Sequence, residues 1–259
     1  MQIGWCAPFD RADEMAALGF DFLEVPLAPF QLEDDACLAR ARVAVRSRSL
    51  PTPIVNQLLP RGLAVVGPRV DRDRMRRYLD RAVEIAAAAD AELMVFGSGW
   101  ARHVPDGWAH ERAVAQFADM MSWCVEALAG TAIVLALEAQ NRSETNFIQR
   151  VDEAVAAARR IGHPRIRAMA DVYHMALEDE SLDILSEATP EWIRHVHLAD
   201  TGRVPPGRGG YDFEAVFRRL IQAGYTGRLS IEQMQDISID EMQRSLAFVR
   251  RAWLAAQRS

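Results

Sequence analysis

The chain has 259 residues, half of them hydrophobic and a quarter charged, with a formal charge of −6; this suits one barrel-sized domain over residues 1–259 and argues against a general affinity for nucleic acid. No run approaches the roughly 18 apolar residues of a membrane span, and Cys6, Cys37 and Cys124 are far apart with no CxxC pair. All 30 basic residues are arginine, which excludes Schiff-base chemistry, pyridoxal phosphate attachment and a P-loop lysine.

The N-terminal MQIGWCAPFD has no basic segment leading into an apolar run, so the chain reads as mature, soluble and cytoplasmic. Short apolar runs then alternate eight times with helical segments. Strands are predicted at 2–6, 21–27, 51–57, 91–99, 132–140, 165–172, 192–200 and 228–234. The clearest helices are predicted at 71–90, 110–129, 151–161, 212–223 and 238–257, with Asp71 and Asp212 as start signals. Alanine runs near residues 86–89 and 154–158 suit close packing against a sheet. Eight βα units in this length, without a glycine-rich dinucleotide fingerprint after the first strand, predict a closed (β/α)₈ TIM barrel. Catalytic residues of such a barrel sit at the C-terminal ends of its strands.

The tails of the last four runs carry Glu138, Asp171, His197 and Glu232. Four such groups converging on one rim would repel unless a cation neutralised them. Three carboxylates and one imidazole form an oxygen-rich set that suits Mn²⁺, Mg²⁺ or Co²⁺, with Zn²⁺ also allowed. A lone carboxylate at a strand end is more often a cap or a loop residue, but four on successive strands are hard to explain that way.

Four segments carry a more specific signal: LEAQNRSETNF (137–147), DVYHM (171–175), HVHLADTGRVPPGRGGYDF (195–213) and SIEQM (230–234). NQLLP (56–60), VGPRVD (66–71) and FGSGWARHVPDGW (96–108) support them. With these motifs the chain resembles the sugar phosphate isomerase/epimerase superfamily, the xylose-isomerase-like barrels that include ketose 3-epimerases, hydroxypyruvate isomerases and inosose dehydratases. The resemblance implies metal ligands at Glu138, Asp171, His197 and Glu232, and substrate contacts at Glu144, His174 and Arg203. It also implies that Glu138 and Glu232 act as acid and base on opposite faces of a sugar, through an enediolate beside a carbonyl. A small sugar or keto-sugar substrate is expected, with no nucleic-acid or membrane partner, and a homo-oligomer is allowed.

Dehydration of a keto-sugar or inosose by the same site is the alternative, because it shares the first proton removal. Apurinic endonucleases resemble the superfamily too, but hold three metals with extra histidines on the third and fourth strands, which here end in NQLLP and FGSGW. His195 is expected to point outward and to be structural. His103, His110 and His163 are expected at the surface. Trp100 and Trp108 either wall the substrate pocket or simply pack, and Met169, Met175 and Met234 are expected to fill core.

Overall fold

The computed structural model describes residues 1–258. Eight strands, β1 (Ile3–Cys6), β2 (Phe22–Pro26), β3 (Ile54–Asn56), β4 (Leu93–Phe96), β5 (Val134–Glu138), β6 (Ile166–Asp171), β7 (Ile193–Leu198) and β8 (Arg228–Ile231), pair in parallel, in chain order. β8 returns to β1 through Ile3 opposite Leu229 and Trp5 opposite Ile231, so the sheet closes. Each strand is shorter than its predicted run.

The major helices lie outside the barrel: α1 (Ala12–Leu18), α2 (Asp35–Arg46), α3 (Arg72–Ala88), α4 (His110–Ala127), α5 (Val151–Ile161), α6 (Val172–Leu177), α7 (Asp183–Ala188), α8 (Phe213–Gln222) and α9 (Ile239–Ala256). The start signals act as expected: the Asp71 side chain accepts from Arg74 N, and that of Asp212 from Ala215 N. Ser238 and Glu241 form a reciprocal capping box on α9. These caps satisfy amides that helix starts otherwise leave open.

The large core lies between the barrel and its helices. A smaller cluster of Phe22, Ile54, Leu93, Val95, Ala136 and Met169 plugs the barrel interior. Above that plug the interior turns polar, with Glu24, Asn56, His195 and Ser230 all buried. This polar layer leads directly to the C-terminal rim. Among the described residues, no helix is long and apolar enough to cross a membrane.

Candidate metal centre

Glu138 and Asp171 are the last residues of β5 and β6, His197 is next to last in β7, and Glu232 follows β8 directly. All four are buried, and their ligand-type atoms lie within 4.8 Å of one another. His197 Nδ1 is 3.3 Å from Glu138 Oε1, 3.5 Å from Glu232 Oε2 and 4.0 Å from Asp171 Oδ2. Asp171 Oδ1 accepts from Tyr173 N at 2.8 Å, which fixes the carboxylate and frees its other oxygen. Among the described residues, nothing hydrogen-bonds Glu138 Oε1, Asp171 Oδ2 or His197 Nδ1. Buried polar atoms without a partner are costly, and here three of them, on Glu138, Asp171 and His197, face one point. That donor set fits a divalent cation.

The electrostatics agree. Burial alone would push His197 toward the neutral form, but the charges of Glu24 and Glu232 outweigh it and hold the imidazole well above its usual range. Burial and the Glu232 charge hold the Glu138 carboxyl above its usual range. Burial would also raise Glu232, yet the charges of His197 and Arg203 bring it down to about 2. Without an ion, the cluster therefore keeps a proton on His197 to offset its carboxylates.

Glu24, in the middle of β2, is fully buried beneath the cluster and was not expected from the sequence. Its Oε1 lies 2.8 Å from His197 Nε2 and its Oε2 2.8 Å from His195 Nε2. His195 thus points inward, against expectation, because residues two apart on a strand share a face. Its other nitrogen, Nδ1, lies 2.9 Å from the Arg228 carbonyl. Cys6 is also near Glu24 and His197, but both Glu24 oxygens are occupied, and burial and the Glu24 charge keep the thiol protonated. Glu24 therefore serves the two histidines, and neither of its oxygens is left unpartnered for a second ion.

The three residues expected to meet substrate adjoin the cluster. Arg203, held at φ 57°, donates to Glu144 Oε1 at 3.0 Å and to Glu232 Oε2 at 2.8 Å. Its guanidinium lies 5.2 Å from the Tyr173 ring centroid. Asn141 Nδ2 sits 2.8 Å from His174 Nδ1, and the Asn141 oxygen accepts from Ser143 N, so the amide donates to the ring. That leaves the proton of His174 on Nε2, which has no hydrogen-bond partner among the described residues.

Two features of the β4 loop were also missed. A Cβ on Gly97 would lie 1.5 Å from Glu138 Oε2, so only glycine gives that carboxylate its place. Arg102 is 1% exposed and donates to the carbonyls of Phe96, Glu138, Phe147 and Ile148. Burial lowers its pKa to about 10, still charged at neutral pH. It ties the ends of β4 and β5 to the following loop.

A cavity of about 720 Å³ opens above the cluster, with Glu138, Glu144, Arg203 and Glu232 in its wall. Trp100 lines it. Trp108 does not, and instead packs 4.2 Å from the Arg112 guanidinium. Met169 and Met175 are core as expected, whereas Met234 lines the cavity and is 69% exposed. His103 and His110 are exposed, and His163 is partly so.

Known proteins share this arrangement of strands and sequence. The chain is 26% identical over 246 residues to a ketose 3-epimerase of Arthrobacter globiformis, covering 91% of this chain and 81% of the relative. It is 29% identical over 177 residues to a 3-dehydro-D-guloside 4-epimerase of Escherichia coli K12, covering 64% and 67%. The crystal structure of a D-allulose 3-epimerase from Methylomonas sp. superposes with a TM-score of 0.83 at 20% identity, covering 97% and 98%, a likeness of fold. Residues 12–252 match the family described as Xylose isomerase-like TIM barrel, and the chain belongs to that family.

Proposed function

We propose that this protein is a divalent-metal-dependent sugar epimerase that inverts a carbon beside a carbonyl. The observation that carries the reading is the convergence of three unpartnered ligand atoms, on Glu138, Asp171 and His197, with Glu232 beside them. Relatives that are sugar epimerases support it. Glu138, Asp171, His197 and Glu232 would hold the ion, with Mn²⁺, Mg²⁺ or Co²⁺ favoured by the oxygen-rich donors. A divalent ion there supplies electrostatic stabilisation of negative charge on the substrate oxygens.

The chain's own groups do the rest. Glu138 and Glu232 come from β5 and from the end of β8 and lie on two sides of the cavity floor. One carboxylate removes the proton from one face, and the other returns a proton to the opposite face. His174 presents an N–H, through Nε2, to a substrate oxygen. Arg203 balances the carboxylates and exchanges part of its bonding with Glu144 for substrate hydroxyls. Nothing in this set is dedicated to expelling a hydroxide, and the relatives favour reprotonation over dehydration.

The test is hydrogen exchange from heavy water into the substrate carbon, with metal content measured on the same samples. Glu138→Gln and Glu232→Gln should each slow exchange by about 10²–10⁴-fold, as expected for a lost general base. Wild-type exchange in both variants, or full activity in metal-stripped protein, would overturn the reading.

A further inference from the structure

The segment between β7 and α8 carries Arg203 to the cavity and has a buried carboxylate of its own at its root. Asp200 is 1% exposed and stands apart from the metal cluster. Its Oδ1 accepts from Thr201 N and Tyr211 N, both at 2.9 Å, and its Oδ2 from Gly207 N at 2.9 Å. Amides from both limbs of the loop thus converge on one charge. The main chain closes the same knot, with Asp200 N donating to the Val204 carbonyl at 2.8 Å and Arg203 N to the Asp200 carbonyl at 2.9 Å. Thr201 Oγ1 accepts from Gly210 N at 3.2 Å. A Cβ on Gly209 would lie 2.2 Å from that hydroxyl oxygen and 2.4 Å from Asp200 Oδ1, so the returning limb passes directly over the carboxylate.

Arg203 sits inside this knot at φ 57°, in the left-handed region, where a residue with a long side chain rests only when its surroundings hold it there. From that turn its guanidinium reaches Glu144 and Glu232. The cavity wall includes Arg203 and not Asp200. Any influence of Asp200 on the cavity therefore runs through the backbone of the loop.

From this geometry we infer that Asp200 is a positioning residue, whose carboxylate winds the loop so that the guanidinium of Arg203 stands at the cavity floor before substrate arrives. What this does for substrate rests on the epimerase reading above. Asparagine cannot stand in for Asp200. Its amide keeps one acceptor oxygen and turns an NH₂ toward backbone groups that also donate.

The experiment is a double-mutant cycle on the metal-loaded protein, comparing wild type, Asp200→Asn, Arg203→Ala and the two together. The readout is deuterium exchange into whichever of D-fructose, D-psicose and L-ribulose the wild type exchanges fastest. Asp200→Asn alone should lower kcat/KM about 10–100-fold at unchanged metal content, as a misplaced contact does. In the Arg203→Ala background the same change should cost less than about twofold, because its target is gone. Equal losses in both backgrounds would make Asp200 a support of the fold at large and overturn the inference, as would wild-type kcat/KM in Asp200→Asn. Gly209→Ala presses a methyl group on the same knot without changing its charge, and gives the same cycle with the same outcomes should Asp200→Asn fail to fold. A second readout needs neither substrate nor metal. Arg203 Nε is buried without a hydrogen-bond partner among the described residues, and its N–H signal can be assigned in nitrogen-15 spectra by its loss in Arg203→Ala. Exchange of that proton with water should be at least about tenfold faster in Asp200→Asn than in wild type, and an unchanged rate overturns the inference. Exchange into none of the three ketoses by the wild type overturns the epimerase reading, and the Arg203 signal then decides the positioning role by itself.

Discussion

Both oxygens of Glu24 are committed to imidazoles, so one carboxylate orients His197 and steadies the ring that would ligate the ion. Carboxylates that accept from a ligating histidine are worth about 10–100-fold in metal affinity. Glu24→Gln should lose affinity on that scale, read by competition with a chelating dye, and an unchanged affinity would mean that His197 is held by its strand alone. The same dye gives the pH dependence. Because His197 is held above its usual range, falling pH places a proton on Nδ1 that the ion must displace. Affinity should therefore fall about tenfold per pH unit for each displaced proton as pH drops below that raised pKa, and rise toward a plateau above it. A flat profile from pH 6 to 8 would remove His197 from the ligand set. The sequence carries a sign of Glu24, a lone charge inside the apolar run FLEVPL. That sign is weak because Glu24 lies in mid-strand, whereas the catalytic residues of a barrel are expected at the strand tails. His195 was misplaced for a simpler reason, since a spacing of two puts it beside His197 and not opposite.

At the scale of elements, the end of β4 decides whether Glu138 can take its place. Gly97→Ala brings a methyl group against that carboxylate and should lower metal affinity at least tenfold, with a stability cost of about 1–3 kcal/mol from overpacking. Wild-type affinity in this variant would show that Glu138 has room to shift. Arg102 fastens the neighbouring strand ends by satisfying four carbonyls with one planar group, a reach that the compact ammonium of lysine lacks. Arg102→Leu leaves those carbonyls without their donor and should cost on the order of 3 kcal/mol or more in urea unfolding. A loss under ~1 kcal/mol would mean that water replaces the guanidinium. The strand order and the long helices were legible because period and length differ so clearly between the two. α6 and α7, only six residues each, are too short to show a helical repeat. The role of Arg102 has no local signature, since its partners come from strand ends and a loop up to 46 residues away.

For the whole molecule, the two ends of the barrel divide the work. At the N-terminal end Arg228 pairs with Glu92 and reaches Gln2, all near solvent. Glu92→Ala should cost under about 1 kcal/mol and leave metal affinity and turnover as they were. A clear loss of turnover would tie that end to the chemistry. The closed barrel itself was readable from eight alternations in a chain of this length. The cavity above it was not, because loops from β2, β3, β4, β5, β7 and β8 shape it together. The reach of Glu24 across the barrel carries a consequence for the order in which the chain is made. Glu24 belongs to the first tenth of the chain, whereas Glu232 is among the last thirty residues. No contiguous half of the polypeptide holds the ligands together with their support, so a nascent chain cannot capture the ion until the eighth strand has left the ribosome. An ion held there would then act as a late lock that slows escape from the finished barrel, and not as a template for its early assembly.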